Sequence, residues 1–462
     1  MNYTGLVLAK VGCSSCGAIQ NNSGSKAGLE EKRKAQAWVG SANDSPAVRI
    51  GYLVSQYPTV SHTFVLREIT SLRRVGFDIY TISIRKPDRS VDAMTQEESA
   101  EADRTHAIMA LSKVTIARIL LAEFLRRPLP LCRGLGTALR ATRGAPVAVF
   151  LYFAYFVEAV IAGHLFLRAG VRHFHTHFAS TVGWIITRMF PLTMSATLHG
   201  SAEFIEPETF RLREKIEASR FVIAISYFGV SQMMLASSYG QWSKIELARL
   251  GVDVNIYRPE RMPRSDGVFR IVTVGRLVEA KGLPLLLEAV ARLIRRGIRL
   301  HLDIIGDGPL RPEIERCALE LGINEAITLH GMQPADRVRD YYRQADVCVL
   351  ASFLEGIPVV LMEAMALGTP AIATRVTGCP EIIESGINGL LCTPGDVESL
   401  TKALERLARD PDLRQRFSEA GRATIEAHYD LARNAEALAD IFRARLTGFD
   451  SAEPLHGRKN PH

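Results

Sequence analysis

The chain has 462 residues, of which 47% are hydrophobic and 23% charged, and it carries a net charge of +7 with a pI of about 9.0. This length predicts two or three globular domains. The positive charge favours anionic partners such as phosphates or acidic lipids, but no run of Lys and Arg is interleaved with aromatic residues, so nucleic-acid binding is not expected. Seven scattered cysteines are typical of a reducing compartment.

The first ordered segment is expected after a polar tail at residues 1–46, which is rich in Ser, Gly, Asn and Lys. Val48–Pro58 is predicted to form a strand, residues 63–77 have the apolar spacing of a helix, and Asp78–Arg85 is predicted to form the second strand. A strand–loop–helix–strand opening is typical of a doubly wound parallel sheet. Ligands of such sheets bind at the carboxyl ends of the strands.

Residues 114–143 combine six arginines with one acid, Glu123, among many leucines and isoleucines. Such a segment can lie in a membrane interface with its arginines on anionic headgroups, or it can form an ordinary pair of surface helices. The following run, Pro146–Leu167, is long enough to span a bilayer. Because Glu158 in its middle would cost about 2.5–3.5 kcal/mol on insertion, a helix buried under the sheet is expected instead.

Histidines mark the next two predicted strands. His173, His175 and His177 alternate and therefore share one strand face, as metal ligands could. No carboxylate or cysteine is expected to complete the ligand set, so packing near the cleft is favoured and no metal is expected. The strand that starts at Ser195 ends in a turn at His199. That position faces the ligand crevice of an open sheet, although a histidine that caps the turn is the alternative.

The second half of the chain follows a polar linker, Arg261–Gly267. A predicted strand leads to Arg276 and Lys281, which lie on a loop flanked by glycines. Cations at the end of a strand can clamp a diphosphate, since arginine binds two oxygens at once and lysine adds a mobile charge. The alternative for Arg276 and for Lys281 is an ordinary solvated side chain on the protein surface. Gly308 ends the next strand in a Gly-x-Gly turn, which alone is a weak signal.

The segment Ser352–Arg375, SFLEGIPVVLMEAMALGTPAIATR, carries two carboxylates eight positions apart, Glu355 and Glu363. A helix is predicted to begin near Pro358, since proline is favoured at the first helical position. Gly356 allows the backbone to approach a ligand, and the new helix offers unpaired amides to an anion. An anion site between two carboxylates that accept hydroxyl groups is typical of a site for a sugar nucleotide.

This segment resembles the donor-binding signature of retaining GT-B glycosyltransferases, in particular the family 4 group. The resemblance covers about residues 48–445 and implies an α/β fold of two doubly wound Rossmann-like domains that face a cleft. It implies an acceptor-side domain at 47–260, a donor domain at 261–430, and a helix at 431–447 that returns to the first domain. Residues 448–462 are expected to form a tail.

The resemblance also implies roles for individual residues. Glu355 would contact the hydroxyls of the donor hexose, and His199 would lie against the sugar near its anomeric carbon, so both are predicted catalytic residues. Glu363 would bind the nucleotide ribose. The remaining predicted donor contacts are the diphosphate clamp, the amides after Glu355, a cleft-facing turn and the loop at the nucleobase: Arg276, Lys281, Gly356, Ile357, Gly308 and Met332.

The loop Tyr57–Phe64 resembles a variant seen among exopolysaccharide transferases, Pro-x-x-Ser-Glu-Thr-Phe. It departs from the family pattern because the usual glycine pair is absent and His62 replaces the glutamate. Ser61 and His62 are predicted acceptor contacts, with turn packing as the alternative for His62.

The resemblance predicts transfer of a hexose from a nucleotide-diphosphate sugar to a growing exopolysaccharide or a polyprenyl-linked oligosaccharide, with retention of configuration. No cofactor or metal is expected, since no Asp-x-Asp pair stands at a strand end and the two cations can neutralise the diphosphate. The expected location is the cytoplasm or the inner membrane face. The alternatives are a small-molecule or lipid glycosyltransferase, a nucleotide-sugar epimerase, and a non-catalytic partner of a polysaccharide complex.

Overall fold

The computed structural model describes residues 49–59, 63–142, 146–260 and 266–446. The predictions for the two tails, for Ser61, His62 and Arg143, and for most of the linker lie outside these residues. Thirteen strands are found in the described part of the chain: β1 Arg49–Gln56, β2 Asp78–Arg85, β3 His106–Ala107, β4 His173–His177, β5 Thr193–Leu198, β6 Phe221–Ala224, β7 Ile245–Leu247, β8 Phe269–Val274, β9 Leu300–Ile305, β10 Ile327–Gly331, β11 Val347–Leu350, β12 Ala371–Thr374 and β13 Leu390–Cys392.

Helices connect these strands on both faces of the sheets. Within the described residues the α-helices are α1 Thr63–Arg74, α2 Gln96–Arg104, α3 Lys113–Arg126, α4 Pro128–Ala141, α5 Pro146–Arg168, α6 Ser180–Met189, α7 Ser201–Ile205, α8 Leu212–Ala218, α9 Tyr227–Ala236, α10 Leu283–Arg295, α11 Arg311–Glu320, α12 Ala335–Gln344, α13 Val359–Ala366, α14 Cys379–Ile382, α15 Val397–Arg409, α16 Pro411–His428 and α17 Leu431–Leu446.

The strands form two sheets in which every pairing is parallel. The first has the order β3-β2-β1-β4-β5-β6-β7, and the second has the order β10-β9-β8-β11-β12-β13. In each sheet the direction of winding reverses once, between β1 and β4 and between β8 and β11. These switch points open a crevice at the carboxyl ends of the strands. The predicted fold of two doubly wound domains is therefore confirmed.

Apolar patterning explains why these segments form these elements. The strands β4, β6, β11 and β12 are buried along their whole length, as expected for parallel strands that helices cover on both faces. The helix α10 begins with a proline in its first turn and buries residues three and four positions apart, among them Leu286, Leu287, Val290 and Leu293. This stripe packs on the second sheet.

The last described helix, α17, lies on the first domain although it follows the second domain in the chain. Its residues Leu438, Ala439 and Phe442 share a core with Val65 and Ile69 of α1. The two domains are thus joined twice by the chain, once between β7 and β8 and once before α17.

The helix α5 is only partly buried. Its second half packs under the first sheet, where Val160 and Phe166 are fully buried. Its first half reaches solvent, with Phe150 82% and Phe153 51% exposed. By length and composition its segment Ala148–Arg168, with a mean hydropathy of 1.8, could cross a membrane. The expectation of a buried helix is therefore right for the second half and wrong for the first, which extends past the sheet.

Candidate functional site

The loop between β11 and α13 carries Glu355 at the switch point of the second sheet. The Lys281 ammonium donates to Glu355 Oε1 at 2.5 Å, and the Ser352 hydroxyl donates to the same oxygen at 2.6 Å. Oε2 of Glu355 accepts no hydrogen bond from the residues that the structure describes. The helix begins directly afterwards with Pro358 as its cap, so the predicted helix start is correct.

A second loop, after β12, holds this loop in place. The Glu355 amide donates to Thr377 Oγ1 at 3.0 Å, and the Thr377 hydroxyl donates back to the Glu355 carbonyl. Thr377 has a positive φ of 41°, a conformation that residues other than glycine rarely adopt. At Gly378 a Cβ would lie 2.1 Å from the Gly356 carbonyl, so glycine is required for this close approach. The two loops therefore fix the position of the Glu355 carboxylate.

The two predicted diphosphate cations lie on the loop after β8, the strand next to β11. Lys281 is half-buried beside Glu355, whereas Arg276 is exposed. Within the described ranges the Arg276 guanidinium forms no ion pair, and it is therefore available to an anionic ligand. Strand order thus brings Arg276, Lys281 and Glu355 to one sheet edge, although up to 79 positions separate them in the sequence.

The Gly-x-Gly turn has a packing role that the sequence did not reveal. A Cβ on Gly306 would lie 2.0 Å from the Gly275 carbonyl, and one on Gly308 would lie 2.4 Å from the Leu277 carbonyl. These glycines let the turn after β9 pack on the backbone of the cation loop. Met332, the predicted nucleobase contact, follows β10 and is 62% exposed.

Glu363 in α13 contacts the first domain. Its Oε1 accepts from Arg67 Nη2 at 3.1 Å and from the Tyr257 hydroxyl at 2.9 Å, and Arg67 also donates to the Tyr257 oxygen at 3.2 Å. Although burial opposes the Arg67 charge, Glu363 and Tyr257 raise the pKa of Arg67. Burial and the Glu363 carboxylate raise the pKa of Tyr257 to about 12. Oε1 is thereby held, while Oε2 accepts no hydrogen bond in the described part of the chain and can receive a ribose hydroxyl.

His199, at the end of β5, lies against the Glu355 loop. A Cβ on Gly356 would lie 2.4 Å from the His199 carbonyl, so the two domains meet here backbone to backbone. The imidazole packs between Phe64 and Phe178, with ring centroids 4.8 and 4.7 Å away. The structure thus places both predicted catalytic residues, His199 and Glu355, at one point of the cleft.

The three alternating histidines are buried and hydrogen-bonded to the neighbouring strand. His173 and His175 bond hydroxyls of β5 through all four ring nitrogens, at 2.8–2.9 Å: Thr193, Ser195 and Thr197. Burial lowers the pKa of His173 to about 3 and holds the pKa of His175 well below its ordinary value, which keeps both neutral. Among the described residues one group, Glu68, His175 and His177, has potential metal-ligand atoms within 4.8 Å of one another. Glu68 is thus a carboxylate beside the histidines that the sequence did not reveal, and the ring nitrogens of His175 and His177 already have hydrogen-bond partners.

Sequence reasoning missed Arg67, Glu68 and Tyr257. Glu68 is buried and bonds both the Tyr52 hydroxyl and His177. A signal for Glu68 was present, because it falls on the apolar face of α1 three positions after Val65. Also missed was Glu381, whose carboxylate accepts from the first two amides of α9 at 2.9 Å and so joins the second domain to the first.

Comparisons with known proteins agree with this geometry. The model of the family described as glycosyl transferases group 1 matches residues 259–424. Over 421 residues the chain is 24% identical to a putative colanic acid biosynthesis glycosyltransferase, WcaL, of Escherichia coli (strain K12), and the match covers 86% of this chain and all of that one. It is 25% identical to the amylovoran biosynthesis glycosyltransferase AmsK of Erwinia amylovora, over 85% of this chain and 99% of that one.

A solved structure shares the fold. HepE from Anabaena, crystallised with UDP and glucose, superposes with a TM-score of 0.64 at 16% identity, covering 86% of this chain and all of the other. The family match, the two relatives matched along nearly their full length and the paired doubly wound domains lead to one conclusion. The chain is an enzyme, a glycosyltransferase of the GT-B fold whose residues 259–424 match the glycosyl transferases group 1 family.

Proposed function

We propose that the enzyme transfers a hexose from a nucleotide-diphosphate sugar to a growing exopolysaccharide or a lipid-linked oligosaccharide. The observation that carries this proposal is the Lys281–Glu355 pair on the loop before α13, since Gly356 of the same loop packs on the His199 carbonyl of the other domain. Cleavage of the sugar–phosphate bond develops negative charge on the diphosphate and positive charge on the sugar ring. Cations and a carboxylate on adjacent loops match that charge separation.

Lys281 can bind Glu355 and the donor diphosphate at the same time. Its ammonium has three donors, of which one reaches Glu355 Oε1, so it can also bind a diphosphate oxygen. The exposed Arg276 adds a planar fork that binds two phosphate oxygens at once. Glu355 Oε2 then receives the hexose hydroxyls. In this assignment the anionic leaving group lies on the cations and the sugar lies toward His199.

We further propose that transfer needs no metal ion and retains the anomeric configuration. Arg276 and Lys281 supply the positive charge that a metal ion would otherwise bring to the diphosphate. The nearby thiol of Cys379 is not a candidate nucleophile, because burial and the Glu355 carboxylate raise its pKa to about 12. A front-face attack of the acceptor on the ion pair is the route that these residues support.

The proposed acceptor class draws on the relatives, whose names place them in colanic acid and amylovoran biosynthesis. A lipid-linked acceptor would be attached to a membrane, and the surface of α3, α4 and the first half of α5 fits a membrane. Its exposed apolar and basic residues form what we call the basic-apolar surface: Val114, Arg118, Leu121, Phe124, Leu125, Arg126, Leu129, Arg133, Leu139, Arg140, Phe150, Leu151 and Phe153.

The charged side chains of the basic-apolar surface are all positive. Glu123, the single acid of residues 114–143, points inward, where His164 Nδ1 lies at 2.7 Å and Arg127 at 3.4 Å from its oxygens. The apolar side chains can enter the headgroup region while the arginines bind anionic lipid phosphates. The proposed location is therefore the inner face of the membrane.

Donor binding is the first test. UDP, GDP and ADP sugars are screened by thermal shift in EDTA, since a ligand at about 100 times its Kd adds about 2.7 kcal/mol to stability. One nucleotide class should give a shift. Lys281→Ala and Glu363→Ala should each weaken its binding about tenfold or more, because each removes a hydrogen bond to a charged group. The exposed Lys402→Ala is the matched control. Wild-type affinity in both site variants would disprove the donor assignment.

Transfer is tested with the donor so identified and with lipid-linked acceptors extracted from membranes. Retention predicts that NMR shows the same anomeric configuration in product and donor. Product formation without acceptor would favour an epimerase, and transfer to a free sugar or inositol phosphate alone would favour the small-molecule alternative. Donor binding without any turnover would favour a non-catalytic partner.

Membrane docking is tested by sedimentation with vesicles. Binding is expected to phosphatidylglycerol vesicles and not to phosphatidylcholine vesicles, and it should fall with added salt. Leu125→Ser with Leu129→Ser should reduce binding severalfold. Leu319→Ser on α11 is the matched control, because Leu319 is 65% exposed and Leu129 is 73% exposed. Equal binding by the two variant proteins would exclude this surface.

A further inference from the structure

Glu203 of α7 has one carboxylate oxygen that two donors hold and one that is open. Its Oε1 accepts from the Ser180 hydroxyl at 3.0 Å and from the Lys215 ammonium at 3.3 Å. Oε2 accepts no hydrogen bond from the residues that the structure describes, and it keeps access to solvent because the Glu203 side chain is 19% exposed. A carboxylate only accepts hydrogen bonds, so Oε2 can receive a ligand hydroxyl.

The same arrangement is found at the two carboxylates of the proposed donor site. In Glu355 and Glu363, as in Glu203, a cation and a hydroxyl hold Oε1, and Oε2 has no partner in the described ranges. The three side chains are 10%, 13% and 19% exposed. Each carboxylate is thereby oriented before a ligand binds, which lowers the cost of ordering the site. Glu203 therefore has the geometry of a hydroxyl-binding carboxylate, but it belongs to the first domain.

Glu203 lies at the cleft edge of the first sheet. The strands β4 and β5 are parallel neighbours, so their carboxyl ends share this edge. Ser180 is the first residue of α6, which follows β4, and Glu203 comes four positions after His199, which follows β5. The His199 carbonyl is the group on which Gly356 of the donor loop packs. Glu203 is therefore on the first-domain side of the point where the two domains meet.

We propose that Glu203 binds a hydroxyl of the acceptor sugar at the growing end of a lipid-linked saccharide. This inference rests on the proposed function for the identity of its ligand. It gives the first domain a binding carboxylate of its own, whereas Glu355 and Glu363 of the second domain bind the donor. Glu203 orients the acceptor, and the charge of the leaving diphosphate stays on the cations of the donor site.

Lys215 fixes the position of the Glu203 carboxylate. The Lys215 side chain is 2% exposed, and its ammonium lies 5.9 Å from the centre of the Phe210 ring. Burial lowers the pKa of Lys215, although the Glu203 carboxylate opposes that shift. Desolvation of a buried ion pair offsets most of its attraction, so the pair contributes little net stability. What it determines is where Oε1 lies, and hence which oxygen is left for a ligand.

The chain after α7 connects this carboxylate to the basic-apolar surface. Arg211 Nη2 donates to the carbonyls of Arg140 and Ala141, the last residues of α4, at 3.1 and 3.4 Å. Arg211 directly precedes α8, the helix that carries Lys215. A saccharide whose lipid lies in a membrane at this surface would therefore be held on the Glu203 side of the cleft.

Loss of the Glu203 charge should weaken acceptor binding and leave donor binding unchanged. Glu203→Gln keeps an oxygen for Ser180 and Lys215 but presents an amide where the acceptor hydroxyl needs an oxygen. Since a hydrogen bond to a charged group is lost, the acceptor KM should rise about tenfold or more. Glu203→Asp keeps the charge but withdraws the carboxylate, so it should raise this KM severalfold. Glu246→Gln is the matched control, because Glu246 of β7 is 28% exposed and pairs with Arg445.

Two assays are run on each protein. Initial rates are measured with the donor identified by thermal shift and with lipid-linked acceptors extracted from membranes, and the donor Kd and the melting temperature are measured without acceptor. Sedimentation then compares phosphatidylglycerol vesicles that contain the extracted lipid-linked saccharides with vesicles that contain polyprenyl phosphate alone. The saccharide should increase the vesicle binding of the wild type and of Glu246→Gln, but not that of Glu203→Gln.

Equal acceptor KM values for Glu203→Gln and the wild type overturn the inference. A donor Kd that rises as much as the acceptor KM would show a purely structural role and also overturns it. If Glu203→Gln does not fold, Glu203→Asp decides in the same way. If the wild type turns over no acceptor, the proposed function fails, and the vesicles still decide this inference. A gain in binding by the wild type alone then supports it, and an equal gain by both proteins, or none by the wild type, overturns it.

Discussion

The contact of Arg67 with Glu363 predicts a measurable coupling between the two domains. Arg67 belongs to α1 of the first domain and Glu363 to α13 of the second, 296 positions later. Arg67→Met keeps the length of the side chain and its packing against Tyr257 but removes the charge. The perturbation leaves the Glu363 carboxylate with one of its two donors.

The magnitude follows from the burial of the pair. Removal of one partner from a fully buried ion pair costs about 3–5 kcal/mol, whereas one hydrogen bond to a charged group contributes about 1.5–3 kcal/mol. The two side chains are 19% and 13% exposed, so water can partly replace the lost partner. We therefore expect Arg67→Met to lower the free energy of unfolding by about 2 kcal/mol.

A double-mutant cycle with Glu363→Gln, followed by urea unfolding, separates this coupling from lost packing. The expected coupling energy is about 1–2 kcal/mol. Arg296→Met is the matched control, since its pairs with Glu398 and Glu405 are screened by solvent and the loss should be smaller. A coupling energy below about 0.5 kcal/mol would refute the reasoning, because independent sites add within that range.

Three further predictions concern a half-buried acid and two close backbone contacts. Burial raises the pKa of Glu158 to about 7 from its ordinary 4.5, and its Oε2 has no hydrogen-bond partner among the described residues. Between these pH values the native state holds a proton that the unfolded state releases, so the free energy of unfolding should fall as pH rises to about 7 and then level off. Glu158→Gln should abolish this fall and, after allowance for solvent screening, raise the free energy of unfolding at pH 8 by about 1–2 kcal/mol. If urea titrations of the variant gave the same pH profile as the wild type, the prediction would be wrong. Gly306→Ala should lower the free energy of unfolding by more than about 3 kcal/mol, since the added Cβ would lie 2.0 Å from the Gly275 carbonyl oxygen and the φ of Gly306 is 132°. Gly297→Ala, where φ is 78° and the Cβ would meet open space, should lower it by only about 1–2 kcal/mol. Equal melting temperatures of the two variants would refute the close contact at Gly306. Gly356→Ala should force its loop away from the His199 carbonyl and lower kcat about tenfold or more, and full turnover in this variant would show that the two groups need not meet.

Local signals in the sequence determined the elements of the site. The alternation and length of apolar runs were sufficient to predict long strands such as β1 and β2, and the proline at position 358 was sufficient to predict where α13 begins. The spacing of Arg276 and Lys281 after a strand indicated an anion site, since glycine-flanked loops at strand ends expose charged side chains to the cleft. These features depend on residues within about one turn or strand of each other, which is the range over which backbone preference and periodicity act.

Only the tertiary structure decided which polar groups meet. The pairing of β4 with β5 sets His177 beside Thr197 and brings it to His199, and α1 packs so that Glu68 reaches the same histidine. A period of two or of 3.6 residues shows which face is buried, but it contains no information on strand order or register. The same limit explains why the sequence predicted α5 to be buried throughout, since burial depends on where the sheet ends and not on the composition of the helix.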